Sequence, residues 1–523
     1  LRWSYYGSQT PESQLDDFLS QPPSLVAVDV ETVSDRDLTP VGLSIATSRD
    51  EAFYWPIDSP ELPLYVLQDP GITKIYHNAL FDMEALSKLW LNPDRNIDIE
   101  NIDDTIAMAR LLNMPRALSN LAPRYGSYAR SMKEVMGRGR KTTEHLSQEI
   151  IGRKCCEDTT ATFAVYEELK ELVDKKYYRM ETDIIPILLS MTLRGVAVDQ
   201  NIRGVLQEEL ERDVEYYKLL ADEYDFNPGS PQQVAYTLSK HKVFLPMIRG
   251  KLTTKASELE KLDHPIAALV LNYRSASKNL STYVRPLEGL DRTHSRFHAN
   301  AVTGRISSTR PNMQNIPHTL RNMYKPDGDV FTDFDYSQIE LRFLAYLSGD
   351  RIMQGVYDMG GDIHQATADA MGIRRSVAKN TNFAIIYGAT GATVAETAGV
   401  SLKRGQQMLE SWFRAYPTAG RWIWETQKVA ISQGYVETLG GRKLVLPVDE
   451  PEGKLIRKPV NWKIQGSAAE VMKRSMIACR KLPISLQIYD QLLIQGRVEL
   501  PEGLDRLSSV YTPIDVRETE RWE

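Results

Sequence analysis

The sequence predicts a multidomain α/β protein, and three observations carry the prediction. Its 523 residues point to about three or four domains. The composition is that of ordinary globular domains, 42% hydrophobic and 25% charged, enough apolar material for sizeable cores. Runs of β-type residues at 24–32, 74–76, 330–334 and 486–494 are interspersed with helical-period stretches at 106–112, 157–169 and 202–224. The net charge of −6 argues against wholesale electrostatic wrapping of nucleic acid but leaves room for a local basic cleft. Cys155, Cys156 and Cys479 make no disulfide framework, so a reducing compartment is expected. No apolar run approaches the ~20 residues of a membrane span. The start, Leu1-Arg2-Trp3-Ser4, has no signal-peptide pattern and no Met, so the true N-terminus is expected upstream. There is no internal repeat.

Residues 24–32 read as a central strand carrying Asp29 and Glu31 on one face. Two acids there repel unless a cation neutralises them, although a solvated face would also tolerate them. His77-Asn78-Ala79-Leu80-Phe81-Asp82 follows a short strand, Lys74-Ile75-Tyr76. Asp104 precedes the helical pattern Ile106, Ala109, Leu112 and reads as a structural cap. The basic stretch Arg130, Lys133, Arg138, Arg140 and Lys141 is either a strand-gripping patch or a solvated loop. Glu157-Asp158 lies on a helix running to Leu169.

A charged amphipathic helix is expected over 202–224, then a Pro/Gly turn with Ser230 capping a helix that starts at Pro231. Tyr273-Arg274-x3-Lys278-x3-Thr282-Tyr283 puts a cation on each turn of one helix face. Asp335 sits where the run 330–334 hands over to a helix marked by Leu341, Leu344, Ala345 and Leu347. Arg375, Lys379, Phe383 and Tyr387 recur every fourth residue, followed by Gly388. Two cations on one face can hold a polyphosphate, and an aromatic ring beside them can stack on a base. An amphipathic surface helix with inward aromatics is the plainer account of the same spacing. Trp412, Phe413, Tyr416, Trp422 and Trp424 are expected in the core. Arg457, Asn461 and Gln465 at four-residue spacing suggest a helix face that reads a duplex minor groove. Residues 486–494 read as a β-hairpin with Asp490 at its tip. Carboxylates on neighbouring strand tips can hold two divalent ions roughly 4 Å apart, which activate a hydroxyl and stabilise a leaving pyrophosphate.

Asp335–Arg342, the Arg375–Gly388 ladder and the Leu486–Ile494 hairpin together resemble motifs A, B and C of family A DNA polymerases. Thr303–Ser308 with Pro311–Pro317 resembles the segment before motif A, and Met191–Asp199 the entry to the polymerase half. The stretches around Asp29, Asp82 and Asp158 resemble the three exonuclease motifs of the DnaQ-like fold. The resemblance covers nearly the whole chain. It implies an RNase H-like (DnaQ-like) exonuclease domain at 1–175, then a right-hand polymerase domain at 176–523. Within the latter it implies a thumb at about 190–298, a palm at about 299–350 and 440–523, and fingers at about 351–439.

By that resemblance the chain is a DNA-templated DNA polymerase with a 3′–5′ proofreading exonuclease and no 5′ nuclease, using two Mg²⁺ per active site, with Mn²⁺ as a substitute. Asp335, Tyr336 and Asp490 are its polymerase metal ligands. Asp29, Glu31, Asp82 and Asp158 are its exonuclease ligands. Gln338, Glu340, His364, Arg375, Lys379, Phe383 and Tyr387 bind dNTP, with Glu340 excluding a 2′-hydroxyl and Lys379 placed to protonate pyrophosphate. Lys278, Arg305, Gln314, Asn315, Arg457, Asn461, Gln465, Tyr489 and Gln491 contact primer–template DNA. The implied setting is the cytoplasm or nucleoid of a bacterial or phage-type system, with an organellar origin open.

Four departures stand out. Lys154 replaces the Tyr that usually orients the attacking water, and Ala384 replaces a Gly. The third motif reads Tyr489-Asp490-Gln491 instead of His-Asp-Glu. The connections Leu287–Phe297, Pro317–Leu320 and Gln495 to the end are short, from trimmed loops or missing residues. The rival reading is a degenerate polymerase that only binds primer ends, or one that keeps only the exonuclease.

Overall fold

The computed structural model describes residues 2–5, 20, 23–58, 64–89, 100–248 and 250–523. In the N-terminal region, β1 (Arg2–Tyr5), β2 (Leu25–Thr32), β3 (Pro40–Ala46), β4 (Glu51–Pro56), β5 (Thr73–Tyr76) and β6 (Ile102–Asp104) form one mixed sheet in the order β1-β4-β3-β2-β5-β6. β2 is interior, antiparallel to β3 and parallel to β5. That position explains its consecutive apolar residues: Val26, Ala27 and Val28 are all fully buried. Helices α1 (Ala79–Ser87) and α3 (Gln148–Leu169) pack on it, and α2 (Thr105–Leu111) packs against α3. Asp104 is the structural cap the sequence suggests. Its Oδ1 accepts from the N–H groups of Ile106 and Ala107, and its Oδ2 from Ala79 at the start of α1. In the basic stretch, Arg130 is committed to Glu157 by two bonds of 2.8 and 3.0 Å, which favours a structural role for it.

Helix α4 (Lys175–Arg194) belongs to two cores at once. Ile185 and Leu189 face the core of the N-terminal sheet, whereas Ile184, Leu188 and Met191 join the core of the C-terminal region. The expected boundary at 175/176 therefore falls at the start of a shared element. Helices α5 (Gln200–Asp222) and α6 (Pro265–Asn279) then pack together. Between them, Ser230 caps the helix Pro231–Lys240 as expected. Arg274 does not share a DNA-facing stripe with exposed Lys278. Its guanidinium donates to the carbonyls of Thr254 and Pro228.

The C-terminal sheet comprises β7 (Phe331–Tyr336), β8 (Ile484–Ile488), β9 (Gln491–Gln495) and β10 (Ile514–Thr519), in the antiparallel order β8-β9-β7-β10. Helix α7 (Ile339–Ser348) follows β7 directly, as the sequence predicts. Next come α8 (Ile363–Met371), α9 (Arg375–Ile386), α10 (Leu402–Ala415), α11 (Pro417–Gln433) and α12 (Lys458–Ala478). Trp412 and Tyr416 are core residues, but Trp424 is 59% exposed, with the Lys428 ammonium over its ring. Gly388 is required where it stands: its φ is +73°, and a Cβ there would lie 2.8 Å from the Cα of Arg457.

One buried charge cluster joins the two regions. The Glu181 carboxylate on α4 accepts from Lys473 Nζ at 2.7 Å to both oxygens, touches Arg110 Nη2 and lies 3.7 Å from Arg442 Nη1. Burial pushes Glu181 up, but Arg110, Lys473 and Arg442 outweigh it and hold the carboxyl at about 2. Lys473 is pulled the other way from its ordinary value, to about 8, because burial and the two guanidiniums outweigh Glu181. The pair is thus asymmetric: one anion serves three cations, and each cation faces the other two. Glu181→Gln should cost about 3–5 kcal/mol, measured as a fall in the urea midpoint, because it strands three buried cations. A folded value of about 2 lies below the roughly 4.3 of an unfolded glutamate. The carboxylate's contribution is therefore complete above about pH 5 and fades as pH falls toward 2, and the variant should lack that acid limb.

Candidate active sites

The first site forms on β2 and α3. Alternation along β2 sends Asp29 and Glu31 to one face, and α3 brings Asp158 over it. These three residues present carboxylate oxygens within 4.8 Å of one another. Burial, then Asp158 and Glu31, push Asp29 well up from the usual carboxylate range. Asp158 rises to about 6 through burial, with Lys154 pulling it back. Asp82, expected as a fourth ligand, is not in this tight trio. It is buried in the first turn of α1, and its Oδ1 accepts the Val30 N–H at 3.2 Å. Its charge still faces Asp29, and burial raises it. Lys154, one turn before Asp158 on α3, is buried and touches Asp158 Oδ2, with Glu31 Oε1 3.5 Å away.

The second site lies at the ends of β7 and the β8–β9 hairpin. Asp335 on β7 pairs with Gln491 of β9 on one side and Asp515 of β10 on the other. Tyr489 turns the hairpin with φ +55°, and the Tyr336 N–H donates to the Asp490 carbonyl at 3.0 Å. This bond ties the two acidic strand ends together. Asp335 rises to about 7 through burial, then Asp490, Asp333 and Asp515. Burial also raises Asp490, against the opposing charges of Arg305 and Lys379. The side chain of Tyr336 points into the core, bonded to Ser475 Oγ and the Leu504 carbonyl, so only its main chain stays near the site.

Helix α9 lies beside this pair. Arg375 donates to Asp362 Oδ2 at 2.6 Å, and Asp362 also caps α8. Lys379 is exposed, without a carboxylate ion pair among the described residues. The Phe383 and Tyr387 rings follow, 6.3 Å apart, and the helix runs through Ala384 without a break. These two rings line an open pocket of about 370 Å³ with Gly388 and Arg457. His364 is expected to contact the triphosphate. It is 3% exposed and packs on Phe383, and burial lowers it to about 4. Its Nδ1 accepts from Asn382 Nδ2, which leaves the proton on Nε2. Glu340 is buried and receives Arg305 Nη2 on one oxygen and the Tyr387 hydroxyl at 3.1 Å on the other. Gln338 adopts φ +55° and accepts from the Tyr357 hydroxyl.

Several residues expected to face DNA have protein partners in the structure. Arg305 is paired with Glu340 and lies 5.5 Å from the Tyr489 ring. Gln314 is 7% exposed, and its Nε2 is committed to Ile306 and Gln487, so its amide is a core clamp. Asn315 accepts from the Tyr489 hydroxyl at 3.1 Å. Arg457 is exposed, and Asn461 and Gln465 are half-buried on α12. The Gln491 Nε2 donates to Asp333 Oδ1 at 2.7 Å, while Arg517 Nε donates to Asp333 Oδ2 at 2.7 Å. Sequence reasoning missed Asp333 and Arg517. Asp333 had a signal, since it lies two residues before Asp335 on one strand face; Arg517 had none.

A sheet with two facing aspartates, a cationic and aromatic helix beside it, and a second sheet with its own acidic trio define a class: a hand-shaped polymerase joined to an exonuclease-type domain. The models for DNA polymerase family A and for 3′-5′ exonuclease match residues 198–499 and 6–174, and the chain belongs to DNA polymerase family A. DNA polymerase I of Pseudomonas aeruginosa is 30% identical over 94% of this chain and 62% of that protein. The thermostable DNA polymerase I of Thermus filiformis is 31% identical over 84% of this chain and 58% of that protein. The chain thus spans about three-fifths of the length of these relatives. The POL domain of Pol1 from M. smegmatis, in complex with DNA primer-template and dNTP, shares the fold, with TM-score 0.79, 24% identity and coverage of 98% of this chain and 97% of that one.

The Asp333–Gln491 bond makes its own prediction. Gln491→Glu would set a second carboxylate against buried Asp333, with Arg517 already engaged. In EDTA at pH 8 the variant should lose about 1–3 kcal/mol by urea unfolding, and less near pH 5, where one shared proton relieves the repulsion. Equal stability at pH 8 would show that the amide bond is incidental.

Proposed function

We propose that the chain extends DNA primers on a DNA template and trims their 3′ ends, in replication or repair. The observation that carries the reading is the facing pair Asp335 and Asp490, with the open flank of α9 beside it. In extension, the primer 3′-hydroxyl attacks the α-phosphate of a dNTP, and pyrophosphate leaves. The two aspartates suit a hard divalent cation: both are half-buried carboxylates, raised by desolvation and tied together by the Tyr336–Asp490 bond. Mg²⁺, or Mn²⁺ in its place, would be held by Asp335 and Asp490 and would supply hydroxyl activation and charge stabilisation. Lys379 stands free to meet the triphosphate and to give a proton to the leaving group. Arg375 must exchange Asp362 for phosphate. His364 supports the ring of Phe383 and offers only Nε2–H. Lys278, Arg457, Asn461 and Gln465 are the residues placed to contact the duplex.

The second site would hydrolyse the terminal phosphodiester, with Asp29, Glu31 and Asp158 as its ligands and Asp82 beside them. The exonuclease region is assigned to 1–175 and the polymerase region to 176–523, with α4 shared. The setting this reading suits is the cytoplasm or nucleoid of a bacterial or phage-type system, with an organellar origin open; among the described residues no helix is long and apolar enough to cross a membrane.

Primer extension with and without Mg²⁺ tests the assignment against a chain that only binds or only degrades DNA. Asp335→Asn or Asp490→Asn should cut extension at least about tenfold with DNA binding nearly intact, because each removes a carboxylate and no phosphate contact. In the same assay, Asp29→Ala with Glu31→Ala should abolish 3′-end loss and spare extension. Either aspartate variant extending at near the parent rate would overturn the palm assignment.

The Arg305–Glu340–Tyr387 bridge generates a further expectation. A 2′-hydroxyl would meet the Glu340 side chain, which Tyr387 backs. Glu340→Ala should raise ribonucleotide insertion relative to deoxynucleotide insertion by about tenfold or more, read by single-nucleotide kinetics with ATP and dATP opposite template T. An unchanged ratio would make Glu340 purely structural.

A further inference from the structure

Lys154 stands inside the exonuclease-type site and is not explained by its chemistry. Its side chain is 4% exposed, so the ammonium has little water to satisfy it. It touches Asp158 Oδ2, lies 3.5 Å from Glu31 Oε1, and its charge also reaches Asp29. Burial opposes a charge at this position, but Glu31, Asp158 and Asp29 outweigh burial and keep the amine protonated. The carboxylates of the trio are thus already neutralised in part by a cation covalently attached to α3.

The same trio has a donor set that fits a hard divalent cation, three carboxylate oxygens within 4.8 Å of one another. A small divalent ion needs those oxygens at about 2.0–2.1 Å. An ammonium in contact with Asp158 and close to Glu31 uses the same lone pairs. Two cations on the same oxygens also repel strongly in a site removed from water. We propose that Lys154 is a built-in competitor for the divalent cation of this site, which binds only when the ammonium is displaced from Asp158 and Glu31. The inference rests on the exonuclease-type reading of the trio and adds a consequence specific to this chain. Trimming of 3′ ends would need more divalent ion than primer extension does, because among the described residues the palm aspartates have no such cation in contact with them.

The test is Mn²⁺ binding to the full chain carrying Asp335→Asn and Asp490→Asn, which clears the palm site, followed by electron paramagnetic resonance of free Mn²⁺. In that background Lys154→Met should bind Mn²⁺ at least about tenfold more tightly than Lys154 does. Lys154→Arg should stay weak, because it keeps the charge. Lys154→Gln serves as a second neutral variant should Lys154→Met fold poorly, as judged by thermal melting. Adding Asp29→Asn to Lys154→Met should abolish the gained binding, which locates it in the trio. Measurable Mn²⁺ binding of equal strength with Lys154, Met and Gln would overturn the competition while leaving the metal site standing. No Mn²⁺ binding in any of the variants would overturn both the competition and the reading of the trio as a metal site.

Discussion

The relative placement of the two acidic sites depends on the ion cluster around Glu181. Arg110 comes from the N-terminal region, Glu181 from the helix that both cores share, and Arg442 and Lys473 from the C-terminal region. Arg110 also reaches the Ala299 carbonyl, and Arg296 answers from the other side by pairing with Glu84 at 2.8 Å. Apolar contact along α4 supplies most of the adhesion, but such contact is tolerant of sliding. A carboxylate buried among three cations is not. Taking these groups out of water is expensive, so the cluster's net stabilisation is modest compared with the penalty for separating its members. It therefore acts as a registration point, fixing α12, and through it the palm, against the sheet that carries Asp29.

Within the palm, the same logic operates on a smaller scale. Asp335 and Asp490 belong to strands far apart in sequence, and the Tyr336–Asp490 main-chain bond sets their spacing before any ligand arrives. Around them, groups that suit a nucleotide or DNA are held by protein partners: Arg375 by Asp362, Arg305 by Glu340, Tyr489 by Asn315. Each such bond satisfies a polar group that would otherwise be desolvated without compensation. Under the proposed function, substrate would have to exchange these bonds for its own. Gln491 fits this picture and does not mark decay. Beside buried Asp333 an amide can donate, whereas an ionised glutamate there would repel.

The residues that were legible in the sequence are those whose role is local. Asp104 and Ser230 cap helices within a few positions, and Asp335 and Asp490 sit at strand ends that alternation and turn chemistry reveal. The helix through Arg375 to Tyr387 shows in its four-residue period. What was not legible depends on partners brought together by the fold. Glu181 and Lys473 are 292 residues apart, and neither stretch has a pattern that singles it out. Arg517 meets Asp333 across a strand pair that only the finished sheet creates. The depth at which His364 and Gln314 lie was not legible either, because helix periodicity carries no information on how deeply a face is covered. Trp424 fails in the opposite sense: its chemistry suggests core, but α11 presents it outward.

The two acidic clusters pose one electrostatic problem and reach different solutions. In both, burial and like charge raise carboxylates whose ionised form is needed to hold a cation. The palm relieves that strain only in part and through space: Arg517 lowers Asp335, and Arg305 and Lys379 lower Asp490. Gln491 is neutral, Arg517 is absorbed by Asp333, and Arg305 by Glu340, while Lys379 acts on Asp490 only through space. Asp335 and Asp490 therefore keep their affinity for a cation from solution. The N-terminal site instead brings an ammonium into contact with the trio. A tyrosine at position 154 could contribute a hydroxyl but no charge, so the substitution alters the charge balance of the site as well as its geometry. That difference follows from one residue on α3, and it decides which of the two sites is the more readily filled by a divalent ion.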